Sequence, residues 1–335
     1  MKTNSMTELV DTYSRKIDYL RISITDRCNL RCVYCMPPEG IELVEPKEIL
    51  RYEEFLRLVR IAASHGVKKV RITGGEPLVR KGIAEFIKDL SAIPGIEDLS
   101  LTTNGVLLRD FAKKLKDAGL KRVNVSLDSM NRERFMKMTR GDNLNDVLSG
   151  LKESQEVGLR PVKLNAVVIK GFNDDEIEDF AKLSLKEPYH VRFIEYMPFD
   201  SEAGWQKDKC ITAKEIMDRI SAIGELEPVK DPSGGAGPAR RYKFKDAPGE
   251  VGLISPVSEH FCGSCNRLRL TADGKLRLCL FSDVEIDIKK ALRDGSSDSV
   301  IEDLLFKAVH EKPERHHINE NIFKKCSKTM SLIGG

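Results

Sequence analysis

The stretch Leu20-Arg-Ile-Ser-Ile-Thr25, followed at once by Asp26-Arg-Cys28-Asn-Leu-Arg-Cys32-Val-Tyr-Cys35, decides how the chain is read. Its first half alternates apolar and polar residues as a strand does, and its second half puts three cysteines on the loop that leaves the strand. Five more β-rich runs follow, at 67–73, 99–103, 123–128, 162–170 and 191–197. Between the runs lie helical patterns, such as Phe55, Leu58, Val59 and Ala62 at i, i+3, i+4 and i+7. Strand–helix alternation predicts parallel strands joined by crossover helices. Six units fall two short of an eight-unit barrel, and the alternation leaves open whether the sheet closes. In such folds the loops after the strand C-termini build the site. The unusual residues gather there: Gly74-Gly75-Glu76-Pro77 after the second run, Thr102-Thr103-Asn104-Gly105 at the third, Ser126 and Asp128 at the fourth, Met197 and Pro198 at the sixth.

From about residue 205 the texture changes. Thr212-x-x-Glu215 predicts a capping box opening a helix to about Ile223, and 231–238, with three glycines and two prolines, predicts a loop at a boundary. Residues 267–279 predict a hairpin around Asp273-Gly274. The expected organisation is one domain over 1–205 and a second over 206–335.

With 335 residues, 41% hydrophobic and 32% charged, the chain can bury a large core, which excludes a disulfide-stapled miniature, a disordered tail and a fibre. Lys+Arg 55 against Asp+Glu 52 leaves a net charge of +3, so no nucleic-acid-coating surface is expected and any basic site must be local. No apolar run reaches the roughly 18–20 residues of a bilayer span, and Met1-Lys-Thr-Asn-Ser-Met6 lacks a signal-peptide core. A soluble, cytoplasmic protein without a membrane partner is expected.

Six of the eight cysteines form two trios, Cys28/Cys32/Cys35 and Cys262/Cys265/Cys279; Cys210 and Cys326 stand alone and read as small buried hydrophobes. In a reducing compartment clustered thiols favour metal binding over disulfides, and pairing would leave one thiol over in each trio. A structural zinc site needs a fourth ligand, and the first trio has none nearby, His65 being the nearest histidine in sequence. A four-iron cluster on three thiolates keeps one iron open for a ligand. For the second trio a zinc knuckle completed by His260, His316, His317 or Cys326 stays open. Against it, Arg267 and Arg269 lie at i and i+2, so on a strand both guanidiniums face one way, as an anion clamp, while Leu268 and Leu270 face the other.

Cys28-x3-Cys32-x2-Cys35 with Tyr34, together with Gly74-Gly75-Glu76-Pro77, resembles the radical S-adenosylmethionine (SAM) family. The resemblance implies an α/β fold, an incomplete (βα)6 TIM-like barrel of the radical SAM type. It also implies a [4Fe–4S] cluster on the first trio whose open iron takes SAM, which is then split to a 5′-deoxyadenosyl radical. Residues 254–281, the head from Leu20 to Pro37 and the tail Met330-Ser-Leu-Ile-Gly334-Gly335 resemble one branch, the GTP 3′,8-cyclases of molybdenum cofactor biosynthesis. That likeness implies a C-terminal extension carrying a second [4Fe–4S] cluster on Cys262, Cys265 and Cys279, with the guanine of GTP at its open iron. Tyr34, Gly75, Ser126 and Met197 would line SAM. Arg21, Lys69, Arg71, Thr102, Lys163, Arg192, Arg267, Leu268 and Arg269 would meet GTP, and Gly334 and Gly335 would enter the active site. It further implies an external one-electron reductant, a cyclic pyranopterin monophosphate synthase that takes the product, and a homodimer as the candidate assembly. The family pattern leads one to expect an aromatic residue at Arg241 and a histidine at Glu259, both beside the second trio. Two alternatives stay open: a radical SAM peptide modifier with an auxiliary cluster, which would offer a peptide groove and not need Arg267 and Arg269, and a non-catalytic zinc scaffold.

Overall fold

Alternation along the strands sorts the side chains into two sets, and that sorting builds the site. The computed structural model describes residues 8–197, 207–229, 237–318 and 328–334. In strand β1 (Tyr19–Ser23) Leu20 and Ile22 join the hydrophobic core, whereas Arg21 lines a central cavity. Strand β2 (Lys69–Thr73) repeats this with Val70 and Ile72 against Arg71 and Thr73, and β3 (Asp98–Thr103) with Leu99 and Leu101 against Thr102. β4 (Arg122–Ser126), β5 (Val162–Val168) and β6 (Tyr189–Glu195) complete the run. These six strands pair in parallel and in sequence order, with helices between them such as Tyr52–Ser64, Ile83–Ser91, Leu108–Asp117 and Ile177–Lys186. Burying the apolar face of each strand against these amphipathic helices supplies the main stabilisation.

The C-terminal part does not stand apart from this sheet. β7 (Leu226–Pro228), β8 (Ala239–Phe244) and β9 (Glu250–Ile254) extend it beyond β6, with β9 parallel to β6. β10 (Arg267–Leu270), β11 (Lys275–Arg277) and β12 (Glu285–Asp287) extend it beyond β1, with β10 parallel to β1. The result is one twelve-stranded sheet in the order β12-β11-β10-β1-β2-β3-β4-β5-β6-β9-β8-β7. The expected hairpin around Asp273-Gly274 is the β10–β11 pair. Thr212 caps the helix Ala213–Ser221 through Glu215, as its spacing predicts, and the helix ends two residues early. Most of the expected loop at 231–238 lies outside the described residues. Among the described residues no helix is long and apolar enough to cross a membrane.

Candidate active site

Both cysteine trios line one cavity along the barrel strands, together with Arg21, Arg71, Thr102, Ser126, Arg192, Met197, Arg267 and Arg269. The first trio stands at the C-terminal ends, and the second is level with the strand starts, since Arg267, two residues after Cys265, pairs with Tyr19 and Cys279 follows the antiparallel β11. The first trio sits on the loop after β1. A turn with Cys35 N donating to Cys32 O at 2.9 Å shapes it, and Val33 N donating to Met138 O at 2.9 Å docks it on the helix Arg132–Thr139. Tyr34 Oη donates to Asp128 Oδ2 at 2.7 Å, tying the loop to the end of β4. Burial, then mutual repulsion, raises these thiols: Cys35 is pushed up to about 12 and Cys32 well above its ordinary value. Three half-buried thiols gathered on one loop, raised by their own repulsion, suit a cationic iron centre, so the donor set fits a three-thiolate cluster.

The glycine pair after β2 packs backbone against backbone. Gly75 N donates to Thr25 O at 2.7 Å, and a Cβ at Gly75 would overlap the Arg27 carbonyl, so only glycine fits there. Glu76 beside it is 1% exposed and accepts from Asn104 N at 2.7 Å, Thr103 Oγ1 at 2.8 Å and Leu78 N at 3.0 Å. Burial nonetheless raises its carboxyl to about 7.

The second trio begins on the turn Cys262–Ser264 and ends with Cys279 just after β11. Arg15 Nη1 donates to the Cys262 carbonyl at 2.8 Å, and its Nη2 to Pro313 O at 2.7 Å, so an N-terminal residue holds this loop against the C-terminal segment. Burial raises the Cys265 thiol, but the charges of Arg267 and Lys312 outweigh it and bring it down to about 6. The Arg267 guanidinium lies 4.9 Å over the Phe261 ring. His316, offered as a zinc ligand, packs against His260 with ring centroids 4.4 Å apart; burial pulls it down to about 4. Among the described residues no group of His, Cys, Asp or Glu is gathered tightly enough for one metal ion. Cys326 lies outside the described residues.

Between the trios lies a row of cations. In the sheet register Arg269 pairs with Arg21, and Arg21 with Arg71, on three neighbouring strands. Like charges placed opposite one another repel. Burial, then that repulsion, lowers Arg21 well below its ordinary value, brings Arg269 and Arg192 to about 9, and Lys163 to about 5. An anion laid across the row would relieve both costs. Thr102 Oγ1, buried at the same wall, has no hydrogen-bond partner among the described residues.

Not every expected residue faces the cysteines. Lys69 and Lys163, near the starts of β2 and β5, line a second cavity at the N-terminal ends of the strands; Arg71 and Arg192 line both cavities and join them. Leu268 is 2% exposed and turned into the hydrophobic core, so its side chain lines neither cavity, as its place between two inward arginines requires. Arg241 lies in the wall of the second cavity, paired with Glu250 at 2.7 Å, and not beside the second trio; Glu259 pairs with Arg240. Gly334 does reach the site: Arg269 Nη1 donates to its carbonyl at 2.8 Å. Gly334 has φ +81, and a Cβ there would stand 2.5 Å from Thr73 Oγ1 and 2.8 Å from Ser23 Cβ. Gly335 lies outside the described residues. Arg15 and Lys312 carry no motif that sequence reading assigned to the site.

The family described as Radical SAM superfamily matches residues 22–184, and the one described as Molybdenum Cofactor Synthesis C matches residues 189–318. The chain is 54% identical over 326 residues to the GTP 3′,8-cyclase of Pelotomaculum thermopropionicum, covering 97% of this chain and 99% of that protein. It is 54% identical over 327 residues to that of Thermodesulfovibrio yellowstonii, with 97% and 99% covered. Among solved structures, Streptococcus suis SuiB bound to its precursor peptide SuiA superposes with a TM-score of 0.62 at 14% identity, covering 96% of this chain and 77% of that one. The anSMEcpe enzyme with bound AdoMet gives 0.58 at 16% identity, covering 94% and 84%; these two likenesses establish the shared fold. On sequence identity over nearly the whole of both chains, this chain belongs to the GTP 3′,8-cyclase family of the radical SAM superfamily.

Proposed function

We propose that this chain converts GTP to 3′,8-cyclo-7,8-dihydro-GTP, the first step of molybdenum cofactor biosynthesis, with [4Fe–4S] clusters on both cysteine trios. The observation that carries the reading is the register-matched row Arg269–Arg21–Arg71 lying between two three-thiol sites that share one cavity. When bound, the first cluster and SAM supply the one-electron chemistry that removes hydrogen from the ribose 3′ carbon. The chain's own residues bind and orient. The turn Gly74-Gly75-Glu76-Pro77 after β2 receives the amino end of SAM, with Tyr34, Gly75, Ser126 and Met197 around the rest. Arg267 and Arg269 hold the nucleotide against the second trio. Arg21, Arg71 and Arg192 carry its phosphates toward Lys69 and Lys163 in the second cavity. Fixing ribose and base in one pose turns C3′–C8 bond formation into a step between neighbours, and the buried walls keep water out. Electrons come from an external one-electron reductant, and the product passes to a cyclic pyranopterin monophosphate synthase.

Anaerobically purified protein should carry roughly eight irons per chain. With GTP, SAM and a reductant it should yield 5′-deoxyadenosine and a cyclised nucleotide together. A colourless zinc protein, or SAM cleavage that depends on a peptide and not on GTP, would refute the assignment.

A further inference from the structure

The two trios share a cavity but not a charge environment. Asp128 is the one carboxylate among the described residues that line the cavity, and it reaches Tyr34 between Cys32 and Cys35. Behind it on the same side, the carboxylate of Glu76 is held by Asn104, whose Nδ2 lies 3.8 Å from Cys28 Sγ. The cations there are Arg31, donating to the Cys28 carbonyl at 2.8 Å, the exposed Arg27, and Arg140, which donates to the Arg31 and Met36 carbonyls at 2.8 and 3.0 Å. On the other side Lys312 is 3% exposed, and its Nζ donates to the carbonyl of Leu278, the residue before Cys279, at 2.7 Å. Arg15, Arg267 and Arg269 stand around the same trio. Among the described residues no carboxylate pairs with Lys312.

A cluster gains negative charge on reduction, so fixed cations beside it favour the reduced form and carboxylates oppose it. We propose that Lys312 is a positioning residue whose ammonium sets the electron affinity of the second cluster, holding its reduction potential above that of the first. The inference rests on the two-cluster reading, and it gives the clusters a division of labour. The strongly reducing centre faces SAM, and the centre that retains an electron faces the nucleotide.

The test uses holoenzyme without SAM or GTP, titrated potentiometrically with electron paramagnetic resonance detection. The second cluster is assigned in a Cys28→Ala/Cys32→Ala/Cys35→Ala background. Lys312→Met keeps the apolar stem and removes the charge; Lys312→Arg keeps the charge. The expected result is a second-cluster midpoint above that of the first in the wild type. In Lys312→Met it should fall by about a tenfold change in the reduction equilibrium, or about 59 mV for one electron, with Lys312→Arg near the wild type. A wild-type second cluster at or below the first overturns the proposal whether or not the variants hold iron, as does an unshifted midpoint in iron-replete Lys312→Met. Four irons per chain in the wild type would instead refute the two-cluster reading.

Discussion

Gly334→Ala is the substitution on which the site's geometry makes its sharpest demand. Alanine at φ +81 costs about 1–2 kcal/mol for the left-handed backbone alone. Its Cβ would meet Thr73 Oγ1 at 2.5 Å, which forces the tail or the buried β2 end to move. Movement of the tail breaks the Arg269–Gly334 hydrogen bond, a charge-assisted contact worth about 1.5–3 kcal/mol. Together these disfavour the docked tail by about 2.5–5 kcal/mol, or about 60- to 4000-fold. Arg269 released from the carbonyl still faces the nucleotide, so GTP affinity should change little. The assay compares cyclised nucleotide with 5′-deoxyadenosine in the same reaction, with iron measured beside it. Iron should be normal, and the cyclised product should fall at least tenfold relative to the wild type. Wild-type product yield from Gly334→Ala would show that the tail position has no part in the chemistry.

Burial, then repulsion from Arg192, brings Lys163 to about 5; a triphosphate reverses that balance. GTP binding near pH 7 should therefore take up a proton and weaken as pH rises, read by calorimetry in buffers of different ionisation heat; proton uptake that persists in Lys163→Met would contradict this. Arg267→Ala should weaken GTP binding about 10- to 150-fold with both iron centres intact, and unchanged affinity would favour a different substrate. Gly75→Ala should abolish SAM cleavage by separating the first two strand-end loops, whereas SAM cleavage at the wild-type rate would mean that this backbone contact is dispensable. Cys265→Ala should lose about half the iron and retain the first cluster; full iron would end the two-cluster reading.

The strands and the trios were legible because both signals are local: a period of two, a period of 3.6, and thiols spaced along a single loop. Long-range placement is what was not legible. Lys69 and Arg71 stand at i and i+2 on one face of β2, but how far along the barrel each sits depends on distance from the strand's start, and Lys69 is the first residue of β2. Leu268 was assigned to the nucleotide although its own alternation with Arg267 and Arg269 turns it into the core. Arg15 and Lys312 take their roles from partners far away in the chain, Arg15 bonding across 247 residues to Cys262, and no local pattern marks such contacts.

The sheet order also bears on how the molecule is made. β1 and β6 are interior strands only because β10 and β9, which are synthesised much later, lie against them. Residues 1–205 expressed alone would present two unpaired parallel edges to solvent, the kind of surface on which chains aggregate. The β1–β10 pair closes across some of the longest sequence separations in the sheet, so the arginine row cannot exist until nearly the whole chain has left the ribosome. Arg21 and Arg71 are thus set side by side early in synthesis, and Arg269 joins them as the last member of the row.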